Sequence, residues 1–166
     1  MNRMHKIELA GLFAGSGRNL VVEEEIALDG FEGINFPQPA RTQLNLRVLD
    51  RLIAIEGAID IRAQGECVGC LDDVERDLHV EVSERLDPNG DRDTDPFAET
   101  NVLSGTRLDL DDLVQQLVVT ALPMGLRCSQ ECRGLCGECG ANLNAGDCPH
   151  SNGESRGKSQ MEDASQ

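Results

Sequence analysis

Seven cysteines and one histidine are spaced in a way that constrains this chain more than any other feature. Cys67 and Cys70 form a C-x-x-C. Far downstream, CSQECRGLCGECGANLNAGDCPH carries Cys128, Cys132, Cys136, Cys139 and Cys148, with His150 two residues beyond. Structural zinc sites fill all four tetrahedral positions with N and S donors, commonly from two short pairs on tight turns. The chain offers four such pairs: Cys67/Cys70, Cys128/Cys132, Cys136/Cys139 and Cys148/His150. The simplest partition joins neighbours. Cys67, Cys70, Cys128 and Cys132 would make a long-range site of four thiolates. Cys136, Cys139, Cys148 and His150 would make a local site of three thiolates and an imidazole. Two other readings stay open. Cys128, Cys132, Cys136 and Cys139 could share one metal and leave Cys67 and Cys70 reduced, or all seven could be scattered buried thiols. The expected cofactor is structural zinc, one or two ions. Gly69, Gly137 and Gly140 lie within or just after the C-x-x-C pairs, where amides facing sulfur and positive φ are often needed.

The compartment and the charge bear on this reading. The start, MNRMHKIELAGLF, has basic residues, but a Glu interrupts its apolar stretch, so no signal peptide is expected. LVVTALPMGL is too short to span a membrane and holds a proline. A cytoplasmic address is therefore expected, where paired cysteines are more often metal ligands than disulfides. An odd count of seven agrees, because disulfides would strand one thiol. The chain has 166 residues, four Phe, no Trp and no Tyr, so Leu, Ile and Val must supply its core, and metal staples would help a core of that size. Its net charge of -15 repels phosphate backbones, and it lacks aromatic platforms for unpaired bases. An extensive direct grip on RNA is disfavoured. A basic protein partner fits the charge better, with solubility alone as the bland alternative.

Periodicity outlines the fold. Residues 6 to 13 are expected to form a first strand, followed by a Gly- and Glu-rich stretch. Pro37 and Pro39 exclude a helix near FPQPA. Leu44, Leu46 and Val48 alternate with Asn45 and Arg47, as one face of a strand requires. Asp50-Arg51 is expected to turn the chain. Ile53, Ile55, Gly57, Ile59 and Ile61 continue the period, with Gly57 expected at a bend or bulge. Leu78, Val80 and Val82 alternate with His79, Glu81 and Ser83. These strands predict an antiparallel meander with one wet face, and the first C-x-x-C in its last connection. Residues 87 to 107 are expected to be an acidic loop. Asp109 is a good N-cap for a helix whose Leu110, Leu113, Val114, Leu117, Val118 and Ala121 form an apolar stripe, ended by Pro123. The predicted class is α+β: an antiparallel β-meander sheet covered by this amphipathic helix, with a C-terminal zinc-binding knuckle segment. The expected organisation is a β-rich domain with its packing helix over 1–127, a cysteine-rich metal-binding segment packed on it over 128–150, and a disordered tail over 151–166.

Catalytic patterns are absent. Neither H-E-x-x-H nor the deaminase H-x-E with P-C-x-x-C occurs. GESRGKS is one residue too short for a phosphate loop. His5 and His79 stand alone, and helix capping accounts for the aspartates at 109, 111 and 112. No catalytic residue is assigned, and the chain is expected not to be an enzyme.

The order of these features resembles the bacterial YceD family, the large ribosomal RNA subunit accumulation proteins. The resemblance rests on Cys67-Val68-Gly69-Cys70-Leu71, the helix from Asp109 with Asp112-Leu113 inside it, Leu122-Pro123, and Cys128 through Asn144. GLCGECGANLN is its most specific part. The family commonly has a basic residue inside the first C-x-x-C, where this chain has Val68 and Gly69. It usually ends on two cysteines, where this chain has Cys148 and His150. The resemblance implies a non-enzymatic role in ribosome biogenesis, the normal accumulation of 23S rRNA. Together with the acidity, this implies action through a basic ribosomal protein or RNA-processing factor. The alternative is a redox-responsive zinc-binding switch or chaperone, because zinc-bound thiolates can be oxidised and release metal.

Overall fold

A computed structural model describes residues 5–15, 19–88 and 102–150. The elements run β1 (Lys6–Glu8), α1 (Ala10–Phe13), β2 (Asn19–Ile26), β3 (Ala40–Leu49), β4 (Leu52–Glu66), β5 (Asp73–Leu86), β6 (Leu103–Ser104), β7 (Arg107–Asp109) and α2 (Leu110–Ala121). Two antiparallel sheets result, a four-stranded one in the order β2-β3-β4-β5 and a small one in the order β1-β7-β6. The class is α+β, as the periodicity predicts.

The meander forms where alternation is strongest. Leu44 and Leu46 of β3 and Ile53, Ile55, Ile59 and Ile61 of β4 are all buried on one face. The two-residue turn sits at Asp50-Arg51, both in the left-handed region at φ 48° and 74°. That backbone matches the twist of the strands it joins. Asp109 caps α2 by accepting a hydrogen bond from the Asp112 amide at 3.3 Å. Leu110, Leu113, Val114 and Val118 pack into the same cluster as the inner face of β3 and β4. Ala121, at the end of the expected stripe, is exposed.

Four expectations change. The first strand stops at Glu8, and residues 10 to 13 are helical. Leu9 and Leu12 are both buried, and residues three apart share a face only on a helical turn. The Gly- and Glu-rich stretch contains β2, whose Val22 and Ile26 enter the core while Glu23, Glu24 and Glu25 stay wet. This strand is a sheet edge, where charge discourages pairing with other chains. The acidic loop does not reach residue 107. Val102 and Leu103 are buried, and β6 and β7 form a hairpin around Gly105, with β7 pairing to β1. Residues 89–101 of that loop, and the expected tail from 151 to 166, lie outside the described residues. Gly57 makes no bulge, because the β3–β4 register runs without an inserted residue from Arg41↔Asp60 to Leu49↔Leu52. A close approach explains the glycine instead. At φ 152°, a Cβ on Gly57 would lie 2.0 Å from the Gln43 carbonyl oxygen.

Among the described residues no helix is long and apolar enough to cross a membrane. The inner face of β4 continues past Ile61 to Ala63, and there the core changes hands. Ala63 belongs to a second cluster with Ile34, Cys67, Cys70, Val74 and Leu126, at the end of the sheet that carries the first cysteine pair. Gly57→Ala is expected to destabilise the chain by at least about 2 kcal/mol, because backbone must move to admit one methyl. Urea denaturation of the two proteins measures this.

Candidate metal centres

Cys67 and Cys70 sit in the link between β4 and β5. The turn is closed by two backbone hydrogen bonds, from the Leu71 amide to the Cys67 carbonyl at 2.9 Å and from the Cys67 amide to the Asp72 carbonyl at 2.8 Å. The Cys136/Cys139 turn repeats this pattern. The Gly140 amide donates to the Cys136 carbonyl at 2.8 Å, and the Cys136 amide to the Ala141 carbonyl at 2.8 Å. In each, the residue after the second cysteine has positive φ, 61° at Leu71 and 72° at Gly140. The spacing of the glycines predicts that they meet this need. Gly140 meets it, but in the first turn a leucine does, at a cost of about 1 kcal/mol. Gly69 has a different reason, since a Cβ there would lie 3.0 Å from the Cys132 sulfur.

The fold brings all eight predicted residues together in the two expected groups. The sulfurs of Cys67, Cys70, Cys128 and Cys132 lie within 4.8 Å of one another, as do the donor atoms of Cys136, Cys139, Cys148 and His150. Cys67 and Cys132 are 3.7 Å apart at sulfur, and Cys70 and Cys128 are 3.6 Å apart. A zinc–sulfur bond of about 2.3 Å in a tetrahedron puts sulfurs about 3.8 Å apart. The first group therefore fits a zinc-sized ion, and each group supplies four donors of the right kind, four sulfurs in the first and three sulfurs and an imidazole in the second. The rival in which Cys128, Cys132, Cys136 and Cys139 share one metal does not match this arrangement.

The surroundings favour thiolate. The Cys67 sulfur accepts from the amides of Cys128 at 3.3 Å and Gly69 at 3.4 Å, and the Cys132 sulfur from Asn144 Nδ2 at 3.4 Å. The amides of Cys70 and Cys128 are the main reasons Cys67 is held down to about 6. The side chain of Asn144 likewise lowers Cys132. In the second turn the amides of Cys139 and Glu138, then the Cys148 thiol, bring Cys136 down to about 6. Cys70, Cys128 and Cys139 move up. Cys132 beside it raises Cys128. The Asp72 amide opposes the rise of Cys70, and burial and the neighbouring thiols outweigh it. In each turn, then, one thiol is lowered and its neighbour raised.

Exposure separates the groups. Cys67 and Cys70 are buried, and Cys128 and Cys132 half-buried, whereas the second group has Cys136 buried, Cys148 half-buried, and Cys139 and His150 exposed. His150 Nε2 lies 3.7 Å from a Glu138 carboxylate oxygen. The remaining histidines sit elsewhere. His79 is exposed on the wet face against Asp60 at 2.6 Å, and that carboxylate raises it. His5 meets Asp111 at 2.8 Å.

Some supporting residues gave no signal in the sequence. Arg76, on β5, donates to the carbonyls of Arg127 and Cys128 and so ties the sheet to the second cysteine pair. Asn142 Nδ2 donates to Asp72 at 2.7 Å, and the Leu135 amide to the Gly69 carbonyl at 3.1 Å. A periodicity argument cannot find such contacts, because each depends on two turns meeting in space. The conspicuous GANLN run does mark Asn142 and Asn144.

A family model described as Large ribosomal RNA subunit accumulation protein YceD matches residues 55–163. The matched stretch begins inside β4 and takes in both cysteine groups. An uncharacterized protein of Mycobacterium tuberculosis is 30% identical over 119 residues, 69% of this chain and 57% of its own length. An uncharacterized protein of Mycobacterium leprae is 27% identical over 113 residues, 66% of this chain and 52% of its own. The chain thus spans about half the length of the curated relatives it matches. No solved structure matches it.

The zinc-loaded chain is expected to carry two ions in native mass spectrometry, and Cys136→Ser to carry one. A limiting chelator is expected to empty the exposed group first. Amide exchange would then rise at least about tenfold over 136–150 before it changes over 67–72. Simultaneous loss of both ions from Cys136→Ser would contradict two separate sites.

Proposed function

The chain belongs to the YceD family, and from that membership we propose that it is a non-enzymatic ribosome-biogenesis factor supporting accumulation and processing of the large-subunit 23S rRNA. The family description itself names large-subunit RNA accumulation. The rest of the proposal is that the protein works in the cytoplasm through a basic protein, a ribosomal protein or an RNA-processing factor, and that zinc at both groups is structural. A catalytic zinc takes three protein ligands and keeps a position open, whereas each group here offers four donors. Cys67, Cys70, Cys128 and Cys132 would hold one ion, and Cys136, Cys139, Cys148 and His150 the other.

The observation that carries the partner assignment is charge. A net charge of -15 with 2% aromatic residues attracts a basic protein and repels phosphate. The redox-switch alternative draws on one observation, the exposure of Cys139 in the second group. Metal release under mild peroxide, with a gain of client binding, would favour it.

Affinity purification with and without ribonuclease tests the main reading. Capture of a basic protein is expected in both, and deletion of the gene is expected to lower 23S relative to 16S rRNA about twofold or more. Tight binding of isolated rRNA with a steep salt slope would sink the protein-partner mechanism.

A further inference from the structure

A groove of about 760 Å³ runs beside the first cysteine turn. Its walls are the loop at 31–35, the end of β4, the turn itself and the chain leaving α2. Seven large hydrophobic residues are exposed among the described residues, and four of them, Phe31, Val68, Leu71 and Met124, line this groove. Such clustering marks an interaction site, whereas scattered exposed residues need no explanation.

The apolar groups are held in place. The Val68 amide donates to the Leu126 carbonyl at 2.9 Å. Gly125 comes so close that a Cβ on it would lie 2.3 Å from a Val68 methyl. Leu71 is 59% exposed in a left-handed conformation, at the position where the sister turn has Gly140. Glycine would remove the backbone strain there, and only the side chain gives a reason for leucine. Glu32, Glu66 and Asp73 also line the groove, and among the described residues no Lys or Arg lies in its walls.

We infer that this groove docks a protein segment in which apolar side chains are flanked by Lys or Arg. The apolar anchors bury Val68, Leu71 and Met124, and the cations meet the three carboxylates. A phosphate backbone would be repelled by the same carboxylates, and a second copy of this chain brings a charge of -15 of its own. The inference rests on the protein-partner reading above and gives that partner a place and a chemistry.

The test uses the zinc-loaded full chain and a fluorescein-labelled peptide, LKKLLKLLKKLLKL, followed by anisotropy. Controls are the same peptide with serine for leucine, one with glutamate for lysine, and a labelled oligouridine. The double variant Leu71→Gly, Met124→Ser removes two exposed side chains and leaves a backbone that glycine adopts freely. Melting of this variant no lower than that of the parent chain, with affinity reduced at least about tenfold, is expected, while Val21→Ser, exposed on β2, leaves affinity as it was. Both altered peptides are expected to bind at least about tenfold more weakly. Equal binding of the serine peptide, undiminished binding by the double variant, oligouridine displacing the peptide, or a wild-type dimer that the double variant abolishes would each overturn the inference. In cells, a gene deletion that leaves 23S rRNA unchanged would defeat the ribosomal reading. A deletion that lowers it, fully rescued by the double variant, would defeat the groove alone.

Discussion

The convergence of four sulfurs at the end of the sheet is the interaction on which the C-terminal part of the structure depends. Cys67 meets Cys132 across 65 positions of sequence, and Cys70 meets Cys128 across 58. Beyond Leu126, the described chain buries only Cys136 among its apolar residues. Ordering a residue costs about 1–2 kcal/mol of backbone entropy, and so little burial cannot offset that over more than twenty residues. The thiols and the hydrogen bonds around them must hold the segment. Four thiolates this close repel one another, so full ionisation requires a cation among them.

The two C-x-x-C turns share a backbone and differ in setting. The first is built into the sheet, with Arg76 and Asp72 tying it to the chain that follows α2. The second rests on the first through Leu135 and Gly69, and through Asn144, whose side chain reaches Cys132. The dependence therefore runs one way. The first group organises the ground on which the second stands, and the exposed second group can change without disturbing the sheet. Stability ought to fall from the meander outward to His150.

Much of this was legible in the sequence. Spacing offered the two donor groups as the simplest partition of four short pairs, and left open a shared site of Cys128, Cys132, Cys136 and Cys139 that only the fold decides against. Alternation gave β3, β4 and β5, and the cap at Asp109 gave the start of α2. The misses have definite causes. Glu23, Glu24 and Glu25 obscured β2, because an edge strand tolerates polar residues on both faces. Leu9 and Leu12 read as strand, because Ile7 and Leu9 are two apart and one three-residue step to Leu12 is too little to reveal a change of period. The hairpin at 103–109 is too short to show a period. The groove could not be foreseen, since its walls come from four stretches that touch only after folding.

The same geometry links metal to recognition. Val68 and Leu71 lie between and just after Cys67 and Cys70, so whatever fixes those sulfurs also fixes the two exposed side chains. Met124 and Gly125 are set from the other side by Leu126, whose carbonyl receives the Val68 amide and which lies two residues before Cys128. The two walls that carry Val68, Leu71 and Met124 are therefore anchored to the first four-sulfur group and not to the second. An ion in the first group would act at a distance from any chemistry, by holding an apolar, acid-rimmed surface in a shape that the small core could not hold unaided. The exposed leucine in a strained turn follows from that arrangement. Backbone strain persists where the surroundings over-determine it, and a turn clamped through its own cysteines is such a place.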